Sequence, residues 1–291
     1  MVSSPPTCRP RASVQLAGLL FLTACAAPPV CAKPPQVLLP AAAQPDSRDI
    51  DRVGFREPSG ICFHTLRGTL FVVGDKGDVA ELKTDGTLLK AARLPQADLE
   101  GITHHPLTGL LYAAVEGADN ILELDPDNLA LRRTFSISRK LNGKTVLKKD
   151  GGGIEAIAFV PASAHPEGGT FYVGNQAANP DSPHDLSAVF EVEVPLKSGG
   201  SHAQLLRSWD AGVDDIADLH YDGTSGLLYL ISDQANRLVA MSRRGEWRQA
   251  WDLPGDKQEG FTIDSQGNLY VAQDSGGILK LGWRDLTPRL R

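Results

Sequence analysis

Short apolar runs separated by polar turns fill the chain from about residue 57 onward. The runs are rich in Val, Ile, Leu, Phe and Tyr, and the turns contain pairs such as Asp85-Gly86 and Arg244-Gly245. Turns of this type join antiparallel strands into hairpins. No long stretch keeps a helical period of 3.6 residues without an interrupting Gly or Pro. The pattern therefore predicts β-strands throughout.

This strand pattern occurs in five copies. Each copy has an apolar strand, a Gly-containing turn, a second apolar strand, an acidic break, a third strand and a more polar fourth strand. The copies begin at Glu57, Leu99, Ile154, Ile216 and Gln258. Four-stranded repeats of this size are typical of propeller blades. We predict an all-β chain that forms a β-propeller of four-stranded antiparallel blades, five in number, with six as the alternative if another blade lies within 154–215.

The last copy has little sequence left for an outer strand. We expect a segment before Glu57, around Gln36 to Leu39, to pair there and close the ring, because closure removes open sheet edges. The third copy contains a polar insertion from Ala177 to Leu186, which we expect to form a loop.

The first residues have the features of an export signal. Arg9 and Arg11 precede an apolar run from Ala12 to Leu22, which is too short to span a bilayer. The run ends in Leu22-Thr23-Ala24-Cys25, which resembles the lipobox of bacterial lipoproteins, where the Cys becomes lipidated after cleavage. The alternative is an ordinary cleaved signal followed by an unrelated Cys.

These features divide the chain into three parts. We predict a lipoprotein signal peptide over 1–24, a lipidated Cys25 with a Pro/Ala-rich tether over 25–48, and a single β-propeller domain over 49–291. The anchor places the protein in the cell envelope, on the outer or the plasma membrane, with the domain facing the periplasm or the exterior. The net charge of −6 argues against a nucleic-acid partner. Of the four cysteines, Cys8 is lost with the signal peptide, Cys25 would be lipidated, Cys31 lies in the tether and Cys62 lies in a predicted strand, so no disulfide framework is expected.

Acidic residues recur at fixed positions of the copies. One position, just ahead of each first strand, holds Ser59, Glu100, Glu155, Ala217 and Glu259. The position two residues earlier, expected on the same strand face, holds Glu57, Asp98, Gly153, Asp215 and Lys257. A further position, after each second strand, holds Asp75, Glu116, Gln176, Asp233 and Asp274. In a propeller the first strands line the central channel, so these acids converge.

Converging carboxylates repel one another unless they are protonated, hydrated or neutralised by a cation. Carboxylates without Cys and with few nearby His favour Ca²⁺ or Mg²⁺ over Zn²⁺, and Ca²⁺ accepts irregular oxygen coordination. We predict a calcium site whose ligands come from Glu57, Glu100, Glu155, Asp215 and Glu259. A second acidic ring consists of Asp75, Glu116, Asp233 and Asp274. The alternative is that some of these acids cap turns and strand ends.

The openings of the copies carry a family resemblance. Glu57-Pro58-Ser59-Gly60, Asp98-Leu99-Glu100-Gly101, Ile154-Glu155-Ala156, Asp215-Ile216-Ala217-Asp218 and Gln258-Glu259-Gly260 resemble the blade openings of the SdiA-regulated family from about Glu57 to Trp283. This resemblance implies an envelope β-propeller, related to the phytase-like and NHL-type propellers, with a cation in its channel. The chain departs from the family pattern at Ala156, where Gly is usual, and at Ala217-Asp218, where Ser-Gly is expected.

Three functions fit the sequence. The leading hypothesis is an envelope lipoprotein that binds a divalent cation in its channel and presents its mouth to a small-molecule or polymeric ligand. The first alternative is a calcium-dependent phosphate-ester or lactone hydrolase, in which Glu100, Glu155 and Glu259 hold the metal and Asp75 or Asp233 acts as base. The second alternative is a protein-interaction scaffold, in which the acids serve solubility.

Two histidines stand at the end of the second copy's first strand. His104 and His105 precede Pro106, and we expect a solvent-exposed turn there. The alternative is that one of them is a base at the channel mouth.

Overall fold

The computed structural model describes residues 46–49, 55, 57–95, 97–147, 153–176 and 187–289, which lie in one compact unit, Pro35–Arg291. For residues 46–49 it describes the backbone. In chain order the strands are β1 (Asp46–Asp49), β2 (Pro58–His64), β3 (Thr69–Gly74), β4 (Asp78–Leu82), β5 (Leu88–Arg93), β6 (Leu99–His104), β7 (Leu111–Val115), β8 (Asn120–Leu124), β9 (Leu131–Ile137), β10 (Lys140–Leu141), β11 (Lys144–Thr145), β12 (Ile154–Pro161), β13 (Gly169–Asn175), β14 (Ala188–Glu193), β15 (His202–Asp210), β16 (Ile216–Asp222), β17 (Leu227–Ser232), β18 (Arg237–Met241), β19 (Trp247–Asp252), β20 (Gln258–Ile263), β21 (Leu269–Gln273), β22 (Gly277–Leu281) and β23 (Thr287–Arg289).

Helical structure is minimal in the part of the chain that the structure describes. It contains a three-residue 3₁₀ turn at Trp283–Asp285. Within these same residues, no helix has the length and apolar character that a membrane crossing requires.

The strands assemble into antiparallel groups of four, which we call blades 1 to 5, and the outer strands β9 and β15 of blades 2 and 3 also pair in parallel over two residues, which joins these two blades into one eight-stranded sheet. Blade 1 is β2 to β5, blade 2 is β6 to β9, blade 3 is β12 to β15, blade 4 is β16 to β19, and blade 5 is β20 to β22 with β1 as its outer strand. The stretch 154–215, where a sixth blade was the alternative, contains the single sheet β12 to β15 in its described residues. The predicted all-β architecture of four-stranded antiparallel blades is therefore confirmed.

The blades close into a ring around their innermost strands. β2, β6, β12, β16 and β20 each contact the innermost strand of the next blade, and β20 contacts β2. A separate apolar cluster fills each junction between neighbouring blades, as where Tyr270 of blade 5 packs in one cluster with Ile61 and Leu70 of blade 1. Apolar side chains leave water on both faces of every blade, and this burial drives the blades together.

The ring is completed by residues from before the first blade. β1 pairs antiparallel with β22, with Asp46 opposite Lys280 and Asp49 opposite Gly277. The segment 36–39, which we expected to fill this place, lies outside the described residues. β1 begins before the predicted domain start at residue 49, within the last residues assigned to the tether. β23 pairs with β19 and adds a fifth strand to blade 4.

Several predicted segments lie outside the described residues. These are the signal peptide, Cys25, the tether up to residue 45 and the insertion 177–186. The division of the chain into signal, tether and domain stays a prediction.

Candidate functional site

Each innermost strand carries a β-bulge near its start. Strand pairing shifts between Pro58 and Gly60 in blade 1, between Leu99 and Ile102 in blade 2, and at the matching place in the other blades. The residues at these bulges include the predicted ring: Ser59, Glu100, Glu155, Ala217 and Glu259. A bulge redirects a side chain and adds local twist, so it sets where the ring residues point. The regular alternation of side chains between the two faces of a strand does not hold across a bulge. It therefore does not place the residues two positions before the ring on the same strand face as the ring residues.

The glycine after the bulge allows neighbouring blades to approach closely. A Cβ on Gly60 would lie 2.2 Å from the Glu100 carbonyl oxygen of the next blade. A Cβ on Gly101 would lie 2.7 Å from the Ile157 backbone nitrogen. Both distances are far below van der Waals contact, so only glycine fits these positions without moving the neighbouring strand.

Ten acids from all five blades gather at this end of the channel, and we call this end the acidic mouth. They are Glu57, Asp75, Asp98, Glu100, Glu116, Glu155, Asp215, Asp233, Glu259 and Asp274, and they are linked by mutual electrostatic repulsion. Innermost strands begin here and second strands end here, which explains why residues from both positions meet. The predicted convergence of the two rows therefore matches the geometry.

Three of these acids form the tightest group. One carboxylate oxygen from each of Asp75, Asp98 and Glu100 lies within 4.8 Å of the other two. Burial, reinforced by the nearby acids, raises the pKa of Asp98 and holds that of Glu100 well above its usual range. The group joins blade 1 to blade 2, because Asp75 follows β3 while Asp98 and Glu100 lie at the start of β6.

Glu155 is the most buried acid of the ring, with 8% of its surface exposed. Its side chain is hydrogen bonded to the Glu116 carboxyl, although both are acids. Burial, together with the charges of Glu100 and Glu116, raises the pKa of Glu155 to about 10. Two carboxyl groups in hydrogen-bond contact require a proton or a cation between them.

Glu259 occupies the same position in blade 5. Burial and the charges of Asp233 and Asp215 raise its pKa to about 8. Asp233 accepts a hydrogen bond from the Gln258 backbone N–H at 2.9 Å, so this acid caps a strand start as well. Asp274 forms an ion pair with Lys257 at 3.0 Å.

Two predicted metal ligands have partners within the protein. The Glu57 carboxylate pairs with Lys76, and Asp215 accepts a hydrogen bond from the Gln176 side chain. Both acids have left-handed backbones, with φ of 52° for Glu57 and 55° for Asp215. Residues other than glycine seldom adopt this conformation, so the chain holds them there at some cost. Both lie at the rim of the acidic mouth, outside the group of Asp75 and its neighbours.

The two ring positions without an acid are filled differently. Ser59 donates a hydrogen bond to the Asp75 carboxylate and also bonds the Glu57 carbonyl oxygen at 3.2 Å. Ala217 is buried in the apolar cluster between blades 4 and 5. The ring therefore presents carboxyl groups from blades 2, 3 and 5, and blade 1 contributes through Asp75.

Asp218 crosses the channel beneath the acidic mouth. It is fully buried, and its carboxylate accepts backbone N–H bonds from Leu219 at 2.8 Å and from Phe261 at 2.9 Å. It also accepts backbone hydrogen bonds from Ile61 and Ile157. Burial raises its pKa, while these N–H donors oppose the rise. One side chain thus ties blade 4 to blades 1, 3 and 5 at the channel axis.

The histidines predicted in an exposed turn lie elsewhere. His104 is the last residue of β6 and lines a cavity at the other end of the channel. His105 is 4% exposed and stacks on Phe159 with ring centroids 4.5 Å apart. The expected exposure is wrong for His105, because the aromatic contact between blades 2 and 3 covers its ring.

Residues 46–275, well over half of the chain, match the family described as SdiA-regulated. The chain belongs to the SdiA-regulated family. The structure of this SdiA-regulated protein is similar to that of the glutaminyl cyclase of Myxococcus xanthus, with a TM-score of 0.57 and 11% sequence identity over 86% of this chain and 97% of that chain. It also matches a streptogramin B lyase, with a TM-score of 0.46 and 10% identity over 82% of this chain and 98% of that chain. At these identities the likeness concerns the fold alone. No curated protein matches the sequence.

Two features of this SdiA-regulated propeller were missed by the sequence prediction. Asp98 was noted in the repeating pattern but was not assigned to the metal, although it belongs to the tightest acid group. Asp218 was noted only as a departure from the family pattern, whereas it lies below the ring and binds backbone groups. The sequence signal for this role was the presence of Asp218 where the family usually has glycine, because a charged residue at a crowded position needs buried hydrogen-bond partners.

Proposed function

We propose that this protein binds one divalent cation, Ca²⁺ foremost, at the acidic mouth of its propeller. The observation that carries the proposal is the close approach of carboxylate oxygens from Asp75, Asp98 and Glu100, all within 4.8 Å of one another. Two oxygens on opposite sides of one Ca²⁺ lie about 5 Å apart, since each Ca–O bond is roughly 2.4 Å long. The spacing of the group suits a shared ion.

The chemistry of the donors supports the same choice. The group offers carboxylate oxygen only, which hard cations prefer, and no Cys or His belongs to it. Glu155 and Glu116 extend the site on its blade 3 side, where their contact needs a proton or positive charge. A cation at this place offsets the repulsion that raises the pKa of Glu155 and Glu259. We assign Glu57 and Asp215 to the rim, since each already has a partner in the protein.

We also propose that the protein is a lipoprotein of the cell envelope that presents this mouth to a ligand. The lipobox-like sequence ending at Cys25 supports the anchor. Cys25→Ser should move the protein from the membrane fraction to the soluble fraction and abolish labelling by radioactive palmitate. Cys31→Ser is the matched control and should change neither. Unchanged fractionation of Cys25→Ser contradicts lipid anchoring.

The cation proposal is tested by calorimetric titration and thermal unfolding of the full chain in nonionic detergent, stripped with chelator and then supplied with Ca²⁺ or Mg²⁺. We expect Ca²⁺ to raise the melting temperature, because a ligand that binds only the folded state stabilises it. Glu100→Gln should weaken Ca²⁺ binding at least tenfold, or about 1.4 kcal/mol. Glu246→Gln, at an exposed acid of blade 4, should bind as the wild type does. Equal binding by Glu100→Gln would refute the site.

A second candidate function is metal-dependent hydrolysis of phosphate esters or lactones. The observation that favours it is the pKa of Asp233, a predicted base outside the group of Asp75, Asp98 and Glu100, which burial raises above its ordinary value, because enzymes raise carboxyl pKa values to suit acid–base catalysis. Ca²⁺ would bind the substrate oxygen and polarise it, and Asp233 would accept the proton of the attacking water, since Asp75 is assigned to the cation. Calcium-dependent turnover of p-nitrophenyl phosphate or γ-butyrolactone that is lost in Glu100→Gln supports hydrolysis. Cation binding without turnover favours the binding function. The absence of both cation binding and turnover favours the interaction scaffold.

A further inference from the structure

The channel has a second opening at the ends of the innermost strands, opposite the acidic mouth. A cavity of about 390 Å³ lies there, between the last residues of β2, β6, β16 and β20. Its lining includes Cys62, Ile102, Phe159 and Leu219 on the apolar side and His104 and His220 on the polar side. We call it the histidine mouth. Its size falls in the range of sites for small molecules.

The acids near this cavity are already engaged in local structure. Asp222 accepts backbone N–H bonds from Thr224 at 3.0 Å and Ser225 at 2.9 Å. Asp264 accepts hydrogen bonds from the Asn268 side chain at 2.8 Å and the Tyr270 hydroxyl at 3.0 Å. Both carboxylates hold turns in place. Both also line the cavity and keep their negative charge, so the lining repels an anionic ligand.

The hydrogen bonds of His104 define its proton position. The Thr65 backbone N–H lies 3.3 Å from Nε2 of His104, and the Thr65 hydroxyl lies 2.9 Å from the same atom. A backbone N–H can only donate, so Nε2 accepts and the proton of the neutral ring sits on Nδ1. Burial and the nearby histidines lower the pKa of His104 to about 3, which keeps the ring neutral.

His220 is held in a similar way by a threonine. The Thr262 hydroxyl accepts the Phe63 backbone N–H at 2.9 Å, and it lies 3.3 Å from Nδ1 of His220. The hydroxyl oxygen has a second lone pair, so it can donate its proton to Nδ1 or accept one from it, and the contact holds the His220 ring in either tautomer. Burial lowers the pKa of His220 to about 4, so this ring is neutral as well.

We propose that the histidine mouth binds an uncharged small molecule with an apolar, ring-sized body and a carbonyl or hydroxyl oxygen, which accepts a hydrogen bond from the Nδ1–H of His104 beside the imidazole of His220. The apolar lining favours the body of such a ligand through burial of its surface. A neutral imidazole donor favours an uncharged acceptor oxygen, since an anion would lose its hydration beside the carboxylates of Asp222 and Asp264, and an ammonium group has no lone pair to accept the hydrogen bond. The site shares no residue with the proposed cation site, because Asp218 separates Ala217 of the ring from Leu219 and His220 of the cavity along β16.

The probe for this proposal is benzamide, with benzoate and benzylamine as charged analogues of the same size. The full chain in nonionic detergent, labelled with ¹⁵N-histidine, is titrated with each, and a detergent-only sample serves as the blank. We expect benzamide to shift the imidazole nitrogen resonances of His104 and His220, while the two charged analogues shift them far less. The result should be the same with chelator and with Ca²⁺.

Variants locate the site independently. The double substitution His104→Gln/His220→Gln should weaken benzamide binding about tenfold, while His165→Gln, at a histidine that pairs with Glu193 on blade 3, should leave it unchanged. Glu100→Gln should also leave it unchanged, which separates this proposal from that of the cation site. Unshifted resonances with benzamide in the wild type overturn the proposal even if the double variant does not fold. Stronger binding of benzoate, or tight binding of Zn²⁺ lost in the double variant, overturns it in favour of an anion or metal site.

Discussion

The two mouths of the channel are built from opposite ends of the same five strands, yet they differ in charge and in backbone geometry. The acidic mouth gathers ten carboxyl groups from the starts of the innermost strands and the ends of the second strands, among them the group of Asp75, Asp98 and Glu100. The histidine mouth has neutral imidazoles from His104 and His220, with nearby acids that are bound to backbone and side-chain donors. A repeat therefore specifies where side chains meet, while individual substitutions specify what they can bind.

Backbone geometry also distinguishes the two ends. The bulge in each innermost strand lies near its start, so the ring residues there are redirected, whereas pairing is regular toward the strand ends in β2, β12, β16 and β20. Between the two mouths lies Asp218, whose carboxylate binds backbone N–H groups of its neighbours. Substitutions in the acidic mouth, at Asp218 and in the histidine mouth test whether the two mouths are independent.

The largest effect is expected at Asp218, which both mouths share as a boundary. Asp218→Leu leaves the backbone N–H groups of Leu219 and Phe261 buried without an acceptor, and the cost is about 3 kcal/mol or more in the free energy of unfolding. Asp218→Asn keeps an acceptor oxygen and should lose less. Urea unfolding measures both. A loss below about 1 kcal/mol for Asp218→Leu contradicts the role of this residue as a tie between blades.

The importance of Asp218 also shows how far sequence reasoning extends. Strand count, blade order and the convergence of Glu100, Glu155 and Glu259 follow from the repeat, because equivalent positions in a closed ring face the same axis. The closing strand Asp46–Asp49 was not located, since a short polar outer strand has little hydrophobic pattern. The bulges were not predicted either, because a bulge is a property of pairing with the next strand.

The second effect concerns the acidic mouth and its dependence on pH. Glu155 and Glu259 have folded-state pKa values of about 10 and about 8, above the ordinary value of 4.5. Between pH 4.5 and these values the folded state binds more protons than the unfolded state, so the stability of the metal-free protein falls as pH rises. Ca²⁺ should remove most of this fall, because a bound cation replaces the protons.

Thermal unfolding from about pH 5 to about pH 9, which covers the range in which these two groups titrate, measures this effect. The stability in chelator is compared with the stability in Ca²⁺ at each pH. The double substitution Glu155→Gln/Glu259→Gln should flatten the chelator curve and make Ca²⁺ nearly ineffective, while Glu246→Gln should follow the wild type. A metal-free protein whose stability rises steadily over this range argues against the buried acids being protonated in the fold.

The smallest effect is expected at the histidine mouth, and its sign is opposite. His104 and His220 have folded-state pKa values of about 3 and about 4, below the ordinary value of 6.5. Between these values and pH 6.5 the unfolded state binds more protons than the folded state, so stability is lost as pH falls below 6.5. In a plot of the free energy of unfolding against pH, His104→Gln/His220→Gln should reduce the slope of the limb below pH 6.5, the acid limb, and leave the limb above it, the alkaline limb, unchanged. The acidic-mouth variant should change the slope from about pH 4.5 upward and leave the limb below about pH 4.5 unchanged. Urea unfolding at closely spaced pH values resolves the two limbs. If one variant alters both limbs equally, the mouths are coupled through the channel, and Asp218 does not insulate them.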